Sequence, residues 1–347
     1  MNTPEPVAGT VPEIVPGTAP EIVPGTVPGT VPEIVPGTAP EIVPGQRVAV
    51  LGGGVMGEAL VGAVLRAGVA AADVVVAEKT SVRAAEVAQR HGVATTADVA
   101  QAVDGAAVVV VAVKPQDVAA ALAAAGPALV AGALVVSVAA GLPISFYEER
   151  LPTGTPVVRV MPNTPVLVGK GASGVAGGSA ATVEHVARVR RLLAATGLVV
   201  EVPEHHLDAV TAISGSGPAY VFYLVDALAE AGVLLGLPRA QALQLAVATF
   251  EGSSALLARS GEHPVVLRER VSSPGGTTVA ALRELDAHGV RAAVLAAAEA
   301  ARDRSRELAA EAGGASGTGG ASVTGRPPGT GGAAGAGATG DGGATAR

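Results

Sequence analysis

The chain has 347 residues, enough for about two domains of ordinary size with some chain left over. Hydrophobic residues make up 49% of the chain and aromatic residues only 2%, so a large core of small aliphatic side chains is expected and a wholly disordered chain is excluded. The absence of cysteine excludes disulfide scaffolds and cysteine nucleophiles, and a net charge of −7 argues against a nucleic-acid partner.

The two ends of the chain lack the patterns of a folded domain. Residues 10–45 form an imperfect repeat of Thr-Val-Pro-Glu-Ile-Val-Pro-Gly, and residues 313–347 are mostly Gly, Ala, Ser and Thr. Frequent proline prevents helices and central strands, and the second composition is typical of flexible coil. We therefore predict disordered tails over residues 1–45 and 313–347. The start of the chain does not resemble a secretory signal, and we expect a cytoplasmic protein.

The folded region opens with alternating strand and helix patterns. Apolar runs predict strands at residues 47–51, 73–78, 106–113, 133–138, 156–160 and 198–202. Helical spacing follows the first run as far as Arg66 and continues from Arg83 to His91 after the second, and a glycine closes each segment. Because strands that alternate with helices form parallel βαβ units, we predict an α/β fold, with a Rossmann-type parallel sheet domain over residues 46–203.

The pattern changes near Pro203. Residues 207–235, 239–260 and 279–308 carry helical periodicity, so an all-helical domain is predicted over residues 204–312. Its few helices would leave apolar stripes exposed, and a homodimer through them is therefore predicted.

The longest uncharged apolar stretch, Ala209 to Val225, lies at the start of this helical region. It is interrupted at Ser214 to Pro218, and about 20 apolar residues are needed to cross a bilayer, so we predict a buried helix and no membrane partner. Gly215 and Gly217 are costly within a helix, which predicts the close approach of another helix or a ligand there.

A glycine-rich turn directly follows the first predicted strand. Gly52-Gly-Gly54-Val-Met-Gly57 matches the G-x-G-x-x-G pattern in the strand–turn–helix context that dinucleotide binding requires. Gly52 allows the tight turn, Gly54 lets a pyrophosphate approach the backbone, and Gly57 lets helix and strand pack closely. The N-terminus of the helix then favours the anion. We predict cofactor contacts at Gly52, Gly54, Val55, Met56 and Gly57.

Charged residues at the end of the second predicted strand leave the choice of dinucleotide open. Glu78 lies at the distance from the glycines where a carboxylate holds the ribose 2′-hydroxyl and favours NAD(H). Lys79 and Arg83 lie close enough in sequence to meet the 2′-phosphate of NADP(H). We predict Glu78 and Lys79 as cofactor contacts.

Further segments follow along the chain. They are Val111-Ala-Val-Lys-Pro-Gln116, Met161-Pro-Asn-Thr-Pro165, Asp208-Ala-Val-Thr-Ala-Ile-Ser-Gly-Ser-Gly-Pro-Ala-Tyr220 and Val271-Ser-Ser-Pro-Gly-Gly-Thr-Thr278. With the glycine motif, these segments stand in the order and at the spacing of the pyrroline-5-carboxylate reductase family, which the chain resembles over about residues 46–310. Val55 and Val99 depart from the resemblance, because polar residues are common at these places in the family.

The resemblance implies a reaction in which NAD(P)H delivers hydride to C5 of the ring C=N bond of 1-pyrroline-5-carboxylate and L-proline is formed. It implies NADPH as the cofactor, with NADH as the alternative, and homodimers that assemble into larger rings. The resemblance places further cofactor contacts at Val113, Lys114, Pro115, Ala139, Ala140, Gly141 and Asn163. It places the substrate at Ser273, Gly275, Gly276, Thr277 and Thr278.

The chemistry of the Ser273–Thr278 segment suits this anionic substrate. Its proline and glycines are expected to form a tight loop before a helix that begins near Thr277, so that N–H groups point at a carboxylate. Hydride addition develops negative charge towards the imine nitrogen or neutralises an iminium, so a donor near that nitrogen stabilises the transition state selectively. Thr278 is the candidate for this catalytic role, as a group that orients or relays a proton. Ordinary helix capping is the alternative role of these hydroxyls.

Two other functions fit parts of the sequence. Imine or β-hydroxyacid dehydrogenases of the same two-domain build typically place a lysine on the helix that lines the site, but Thr211 to Glu230 contains no lysine. A non-catalytic dinucleotide-binding scaffold is disfavoured because the glycine and Ser-Pro-Gly-Gly motifs are intact. No metal site is predicted, since the adjacent His205 and His206 would point about 100° apart on a helix.

Overall fold

The structure is a computed structural model that describes residues 46–314. The disorder predicted for residues 1–45 and for most of residues 313–347 lies outside the described residues, and it is wrong for residues 313 and 314, which end the last helix. The described chain divides into two compact units, one made of Phe222–Gly289 and the other of residues 46–221 and 290–314. The domain limits expected from the sequence, 46–203 and 204–312, stay a prediction.

Strands and helices alternate over the first part of the described chain, and helices alone follow. The strands are β1 (Arg47–Leu51), β2 (Val74–Ala77), β3 (Ala94–Thr96), β4 (Ala106–Val111), β5 (Leu134–Ser137), β6 (Val157–Met161), β7 (Gly171–Gly177) and β8 (Gly197–Glu201). The helices of the first part are α1 (Val55–Arg66), α2 (Ser81–His91), α3 (Val99–Val103), α4 (Pro115–Ala125), α5 (Ile144–Glu148) and α6 (Val183–Leu193). The later helices are α7 (Leu207–Val210), α8 (Gly217–Leu234), α9 (Arg239–Ser260), α10 (Pro264–Arg270), α11 (Thr277–Ala287) and α12 (Val290–Gly314), with a π-helical turn at Thr211–Gly215.

The strands form a single sheet in the order β3-β2-β1-β4-β5-β6-β7-β8. The pairs from β3 to β6 are parallel, β7 runs antiparallel to β6, and β8 is parallel to β7. The order of the first six strands is that of the Rossmann fold, so the predicted fold class is confirmed. In such sheets a ligand binds where the strand order reverses, here beyond the carboxyl ends of β1 and β4.

The core lies on both faces of the sheet. Alternation along β1 places Val48 and Val50 in one apolar cluster and Ala49 and Leu51 in the other. Helices α1, α2 and α6 contribute buried side chains to the first cluster, and α3, α4, α5 and α7 contribute to the second. Because both faces are covered, the central strands are continuous apolar runs, which is the signal that predicts them in the sequence.

Two strands and one helix break differ from the sequence prediction. Strands β3 and β7 are not predicted, since β7 is rich in glycine and β3 has only three residues. A Cβ at Gly174 of β7 would lie 3.0 Å from the side chain of Val210, so the packing of α7 requires a residue without a side chain there. The helical periodicity predicted over residues 279–308 is confirmed, but it belongs to two helices, because Gly289 adopts a φ of +66° and separates α11 from α12.

The helices of the unit Phe222–Gly289 are mostly exposed in the single chain. Among the residues of α8 only Ala229 is buried, so the predicted buried helix at residues 209–225 is wrong for the single chain. The helical run Glu204–Leu234 is long and apolar enough to cross a membrane by length and composition, and 6% of its most apolar window is buried. These helices therefore present an apolar surface that a partner would cover.

The two glycines of this helical run differ in their surroundings. A Cβ at Gly215 would lie 2.6 Å from the Met161 Cε atom at the end of β6, so its close neighbour is a strand side chain and not the predicted helix or ligand. A Cβ at Gly217 would meet nothing within 4 Å, so no other helix approaches it closely in the single chain, and the approach of a ligand there stays a prediction.

Candidate functional site

A cleft of about 490 Å³ lies at the carboxyl ends of β1, β2 and β4. The predicted cofactor residues that line it are Gly52, Gly54, Glu78, Lys79, Val113 and Lys114. It is also lined by residues that the sequence did not single out as contacts, among them Thr80, Ala97, Val99, Gln116 and Asp117. The fold thus brings the glycine turn, the end of β2 and the Val113-Lys114 segment to one space.

Close backbone contacts require two of the three motif glycines, and the third lies in open space. Gly52 has a φ of +103°, and a Cβ there would lie 2.9 Å from the Ala112 carbonyl oxygen. A Cβ at Gly57 would overlap the backbone of Gly52, whereas a Cβ at Gly54 would meet nothing within 4 Å. Gly54 is the N-cap of α1 and provides no side-chain cap, so the first N–H groups of the helix stay available to an anion in the cleft.

The Glu78 carboxylate accepts hydrogen bonds at both of its oxygens. The Gly53 N–H group donates to Oε2 and the Thr80 N–H group to Oε1, each at 2.8 Å. Burial by itself would raise the pKa of the Glu78 carboxyl, but these backbone hydrogen bonds and the charge of Arg83 outweigh it and lower the pKa. An ionised acid therefore lies where the adenine ribose of a dinucleotide is expected.

A charged cluster lies behind the glycine turn and was not predicted. Glu58 of α1 accepts hydrogen bonds from Arg83 and Arg90, and its Oε1 atom lies 3.1 Å from His91 Nε2. Burial opposes ionisation of Glu58, but the hydrogen bonds from Arg83, His91 and Arg90 outweigh it, so the pKa of its carboxyl is lowered. A sequence signal for this cluster exists, because residues seven and eight apart in α2 share one helix face.

The lowered pKa of Glu58 predicts a pH-dependent contribution to stability. Since the unfolded carboxyl binds protons first as the pH falls, the stabilisation is present above the ordinary pKa of 4.5 and is lost as the pH falls through the lower pKa of the folded chain. Urea denaturation of Glu58→Gln and wild type should differ by about 1 kcal/mol at pH 7, the upper end for exposed ion pairs, because Glu58 is mostly buried while Arg90 is exposed. The difference should shrink at a pH below 4.5. A gap that widens on acidification would contradict this assignment.

The remaining predicted cofactor residues do not line the cleft. Val55, Met56 and Gly57 form the first turn of α1, and Pro115 begins α4 next to Lys114.

The Ala139–Gly141 loop follows β5 and is stabilised by hydrogen bonds to buried side chains. The Ala139 N–H group donates to Ser137 Oγ at 3.3 Å, and Ser137 donates to the hydroxyl of Tyr147, whose pKa burial raises to about 12. The Tyr147 hydroxyl therefore stays protonated at neutral pH and supports the loop through Ser137.

The Asn163 side chain is occupied within the protein. Its Nδ2 atom donates to the Ser214 carbonyl oxygen in the π-helical turn at 3.0 Å, and its Oδ1 atom accepts the Ala172 N–H group at 2.8 Å. Asn163 is only 9% exposed. Its role as a cofactor contact stays a prediction.

The predicted substrate loop lies in the other unit, at the N-terminus of α11. The helix begins at Thr277, as the sequence predicts, and Gly276 is its N-cap, without a side-chain cap. The Gly276 N–H group donates to the Ser273 carbonyl oxygen at 2.9 Å. Among the hydrogen bonds of the described residues, none involves the hydroxyls of Ser273, Thr277 or Thr278. These hydroxyls therefore do not cap the helix, and its first N–H groups are open to an anion.

A second hollow of about 580 Å³ lies where β8 ends. Its two carboxylates are paired with arginines, since Glu201 lies 3.9 Å from Arg190 and Glu204 accepts a hydrogen bond from Arg159 at 3.0 Å. It lies away from the carboxyl ends of β1 and β4, where Rossmann sheets bind dinucleotides.

Comparisons with known proteins agree with this geometry. Residues 204–308 match the family described as pyrroline-5-carboxylate reductase dimerisation, and residues 47–141 match NADP oxidoreductase coenzyme F420-dependent. A curated relative, the pyrroline-5-carboxylate reductase of Corynebacterium melassecola, is 48% identical over 264 residues, which are 75% of this chain and 98% of the relative.

Solved structures give the same result. The pyrroline-5-carboxylate reductase of Coxiella burnetii is 32% identical, with a TM-score of 0.72 over 76% of this chain and 98% of that protein. The Plasmodium falciparum pyrroline carboxylate reductase, solved with NADP bound, is 28% identical, with a TM-score of 0.67 over the same shares of the two chains. The chain therefore belongs to the pyrroline-5-carboxylate reductase family.

Proposed function

We propose that this protein reduces the ring C=N bond of 1-pyrroline-5-carboxylate to give L-proline, with NADPH as the cofactor and NADH as the alternative. The observation that carries the proposal is the N-terminus of α11. Its N–H groups lack a side-chain cap, and three nearby hydroxyls, those of Ser273, Thr277 and Thr278, take part in no hydrogen bond of the described residues. Such a terminus suits a small substrate with one carboxylate and one imine.

The cleft at β1, β2 and β4 fits a dinucleotide. The open space at Gly54 lets a diphosphate approach the backbone at the N-terminus of α1, and Lys79 and Lys114 place positive charge along the lining. When bound, NADPH supplies a hydride. The chain's own residues bind and orient the dinucleotide, and the Plasmodium relative with NADP bound supports this choice.

Different residues of the substrate loop bind the substrate carboxylate and act at the ring nitrogen. The N–H groups of the first turn of α11 bind the substrate carboxylate, with Ser273 and Thr277 as additional donors, while Gly275 and Gly276 keep the backbone accessible. The Thr278 hydroxyl orients or relays a proton at the ring nitrogen, where charge changes most as the C=N bond is reduced.

Replacing Thr278 with alanine should lower kcat for pyrroline-5-carboxylate by about 10- to 100-fold, because a hydrogen bond made chiefly in the transition state is removed. Circular dichroism should be unchanged, since the hydroxyl does not cap α11. Thr278→Ser keeps a hydroxyl and should retain most activity. An unaltered kcat in the alanine variant would remove Thr278 from the mechanism.

A turnover assay with NADPH and pyrroline-5-carboxylate tests the whole function, and absence of turnover would favour the non-catalytic scaffold. The proposal includes a homodimer through the helices of residues 204–308, supported by the family match there. Assembly of dimers into a larger ring and a cytoplasmic location also belong to it. Analytical ultracentrifugation and cell fractionation test these two points.

A further inference from the structure

Gly53, the middle residue of the glycine turn, is held at both of its backbone polar groups. Glu78 accepts from its N–H group at 2.8 Å, and Arg83 Nε donates to its carbonyl oxygen at 2.7 Å. The two side chains come from the end of β2 and the beginning of α2. The loop that receives the diphosphate is thereby tied to the region expected to meet the ribose 2′-group.

All three nitrogens of the Arg83 guanidinium are in use. Nε serves Gly53, Nη1 donates to Glu86 at 2.8 Å, and Nη2 donates to Glu58. The two glutamates differ in setting, because the side chain of Glu86 is 47% exposed and that of Glu58 only 13%. Glu58 is therefore the stronger restraint, since water screens the Glu86 pair.

We infer that Glu58 is a positioning residue that sets the preference between NADPH and NADH by withholding Arg83 from the 2′-phosphate. This inference rests on the proposed function. A phosphate is best bound by two parallel N–H donors of one guanidinium. Arg83 has no such pair of donors available while it donates to Glu58 and Glu86. In the protein as folded, Lys79 is left as the cation that lines the cleft at this end, next to Glu78 in the chain.

Neutralising Glu58 should release Arg83 towards the cleft. Arg83 is the first charged residue after Lys79 and already reaches Gly53 in the glycine turn, so only the end of its side chain has to move. NADH has no 2′-phosphate and gains nothing from that movement. The ratio of the two affinities therefore reports the role of Glu58.

The experiment measures Kd values of NADPH and NADH by isothermal titration calorimetry on the full chain. In Glu58→Gln and Glu58→Ala, the ratio of the NADH Kd to the NADPH Kd should rise about tenfold, the change that one charge-assisted hydrogen bond brings. Glu86→Gln is the matched control: it removes the same charge from the same arginine but leaves Glu58 in place, and its ratio should change less than about twofold. Adding Arg83→Ala to Glu58→Gln should abolish the gain.

Circular dichroism establishes that each variant is folded. Glu58→Ala tests the inference even if the glutamine of Glu58→Gln still accepts a hydrogen bond from Arg83. A ratio that is unchanged or lower in both Glu58 variants overturns the inference, as does a gain that survives the loss of Arg83. Because binding is measured without turnover, the two proposals fail separately. Absence of pyrroline-5-carboxylate reduction with a shifted ratio would overturn the proposed function and leave the role of Glu58 intact.

Discussion

Replacing Gly57 with alanine should abolish NADPH binding by disrupting the first βα unit. The added Cβ would overlap the backbone of Gly52, so no flexible side chain can move aside and α1 must shift away from the turn after β1. We expect a loss of about 3 kcal/mol or more in the free energy of unfolding, at the upper end of overpacking effects. Urea denaturation and calorimetric titration with NADPH measure the two losses.

Gly54→Ala is the matched control for this variant. Gly54 has an ordinary φ of −64°, and a Cβ there would meet nothing within 4 Å, so the fold should be kept. The same Cβ would occupy the space through which a diphosphate reaches the N–H groups of α1, and NADPH affinity should fall about 100-fold or more. Normal binding by Gly54→Ala would contradict the position of the diphosphate, and a stable Gly57→Ala that binds NADPH would contradict the packing argument.

Replacing Phe222 with glutamate should convert the dimer into monomers. Phe222 is one of only three phenylalanines in the chain, lies in α8 and is 67% exposed in the single chain. Burying an unpaired carboxylate in a dimer interface is strongly unfavourable, and losing a large aromatic side chain removes contact area. Sedimentation at micromolar concentration should change from a dimer to a species of about 33.6 kDa. If the substrate site needs a partner, activity falls with it.

Val183→Glu separates this effect from a general effect of surface charge. Val183 is an apolar residue with 80% exposure, but it begins α6, outside the region that matches the dimerisation family. A carboxylate in the first turn of a helix is also favourable. This variant should remain dimeric, and a Phe222→Glu protein that also remains dimeric would contradict the interface.

The sequence predicts those parts of the site whose structure is determined by a short local segment. The turn at Gly52 follows an apolar run and precedes helical spacing, so its fold and its ligand class follow from one short segment. The start of α11 at Thr277 is predicted equally well, because proline and glycine end the preceding segment and hydroxyl residues open the next. The sequence does not show which residue is the N-cap of α11. Gly276 takes this position, which leaves the hydroxyls open.

Features that depend on tertiary contacts escape the sequence. The Glu58 cluster joins α1 to residues 25 to 33 positions later in α2, and no local pattern marks Glu58 as their partner. Strand β7 is rich in glycine where Val210 and Leu207 pack directly on it, and its pairing with β6 and β8 makes it a strand without an apolar run. The sequence predicts exposed apolar stripes on the helices of this region but a buried helix at residues 209–225, because an apolar helix that packs within its own chain and one that packs on another chain have the same sequence pattern.

The amide of Asn163 has a consequence for how substitutions at this position should be interpreted. The Ser214 carbonyl of the π-helical turn has no backbone donor four residues later, because Pro218 lacks an N–H group, so the Asn163 side chain donates to it while also accepting the Ala172 N–H group of a neighbouring strand. Aspartate cannot donate and leucine can do neither, so the tolerance of this position to mutation is set by backbone chemistry. If a mutational scan finds that Asn163 cannot be replaced, the result would therefore reflect the loss of these two hydrogen bonds to the backbone. It would be a poor guide to what the protein binds.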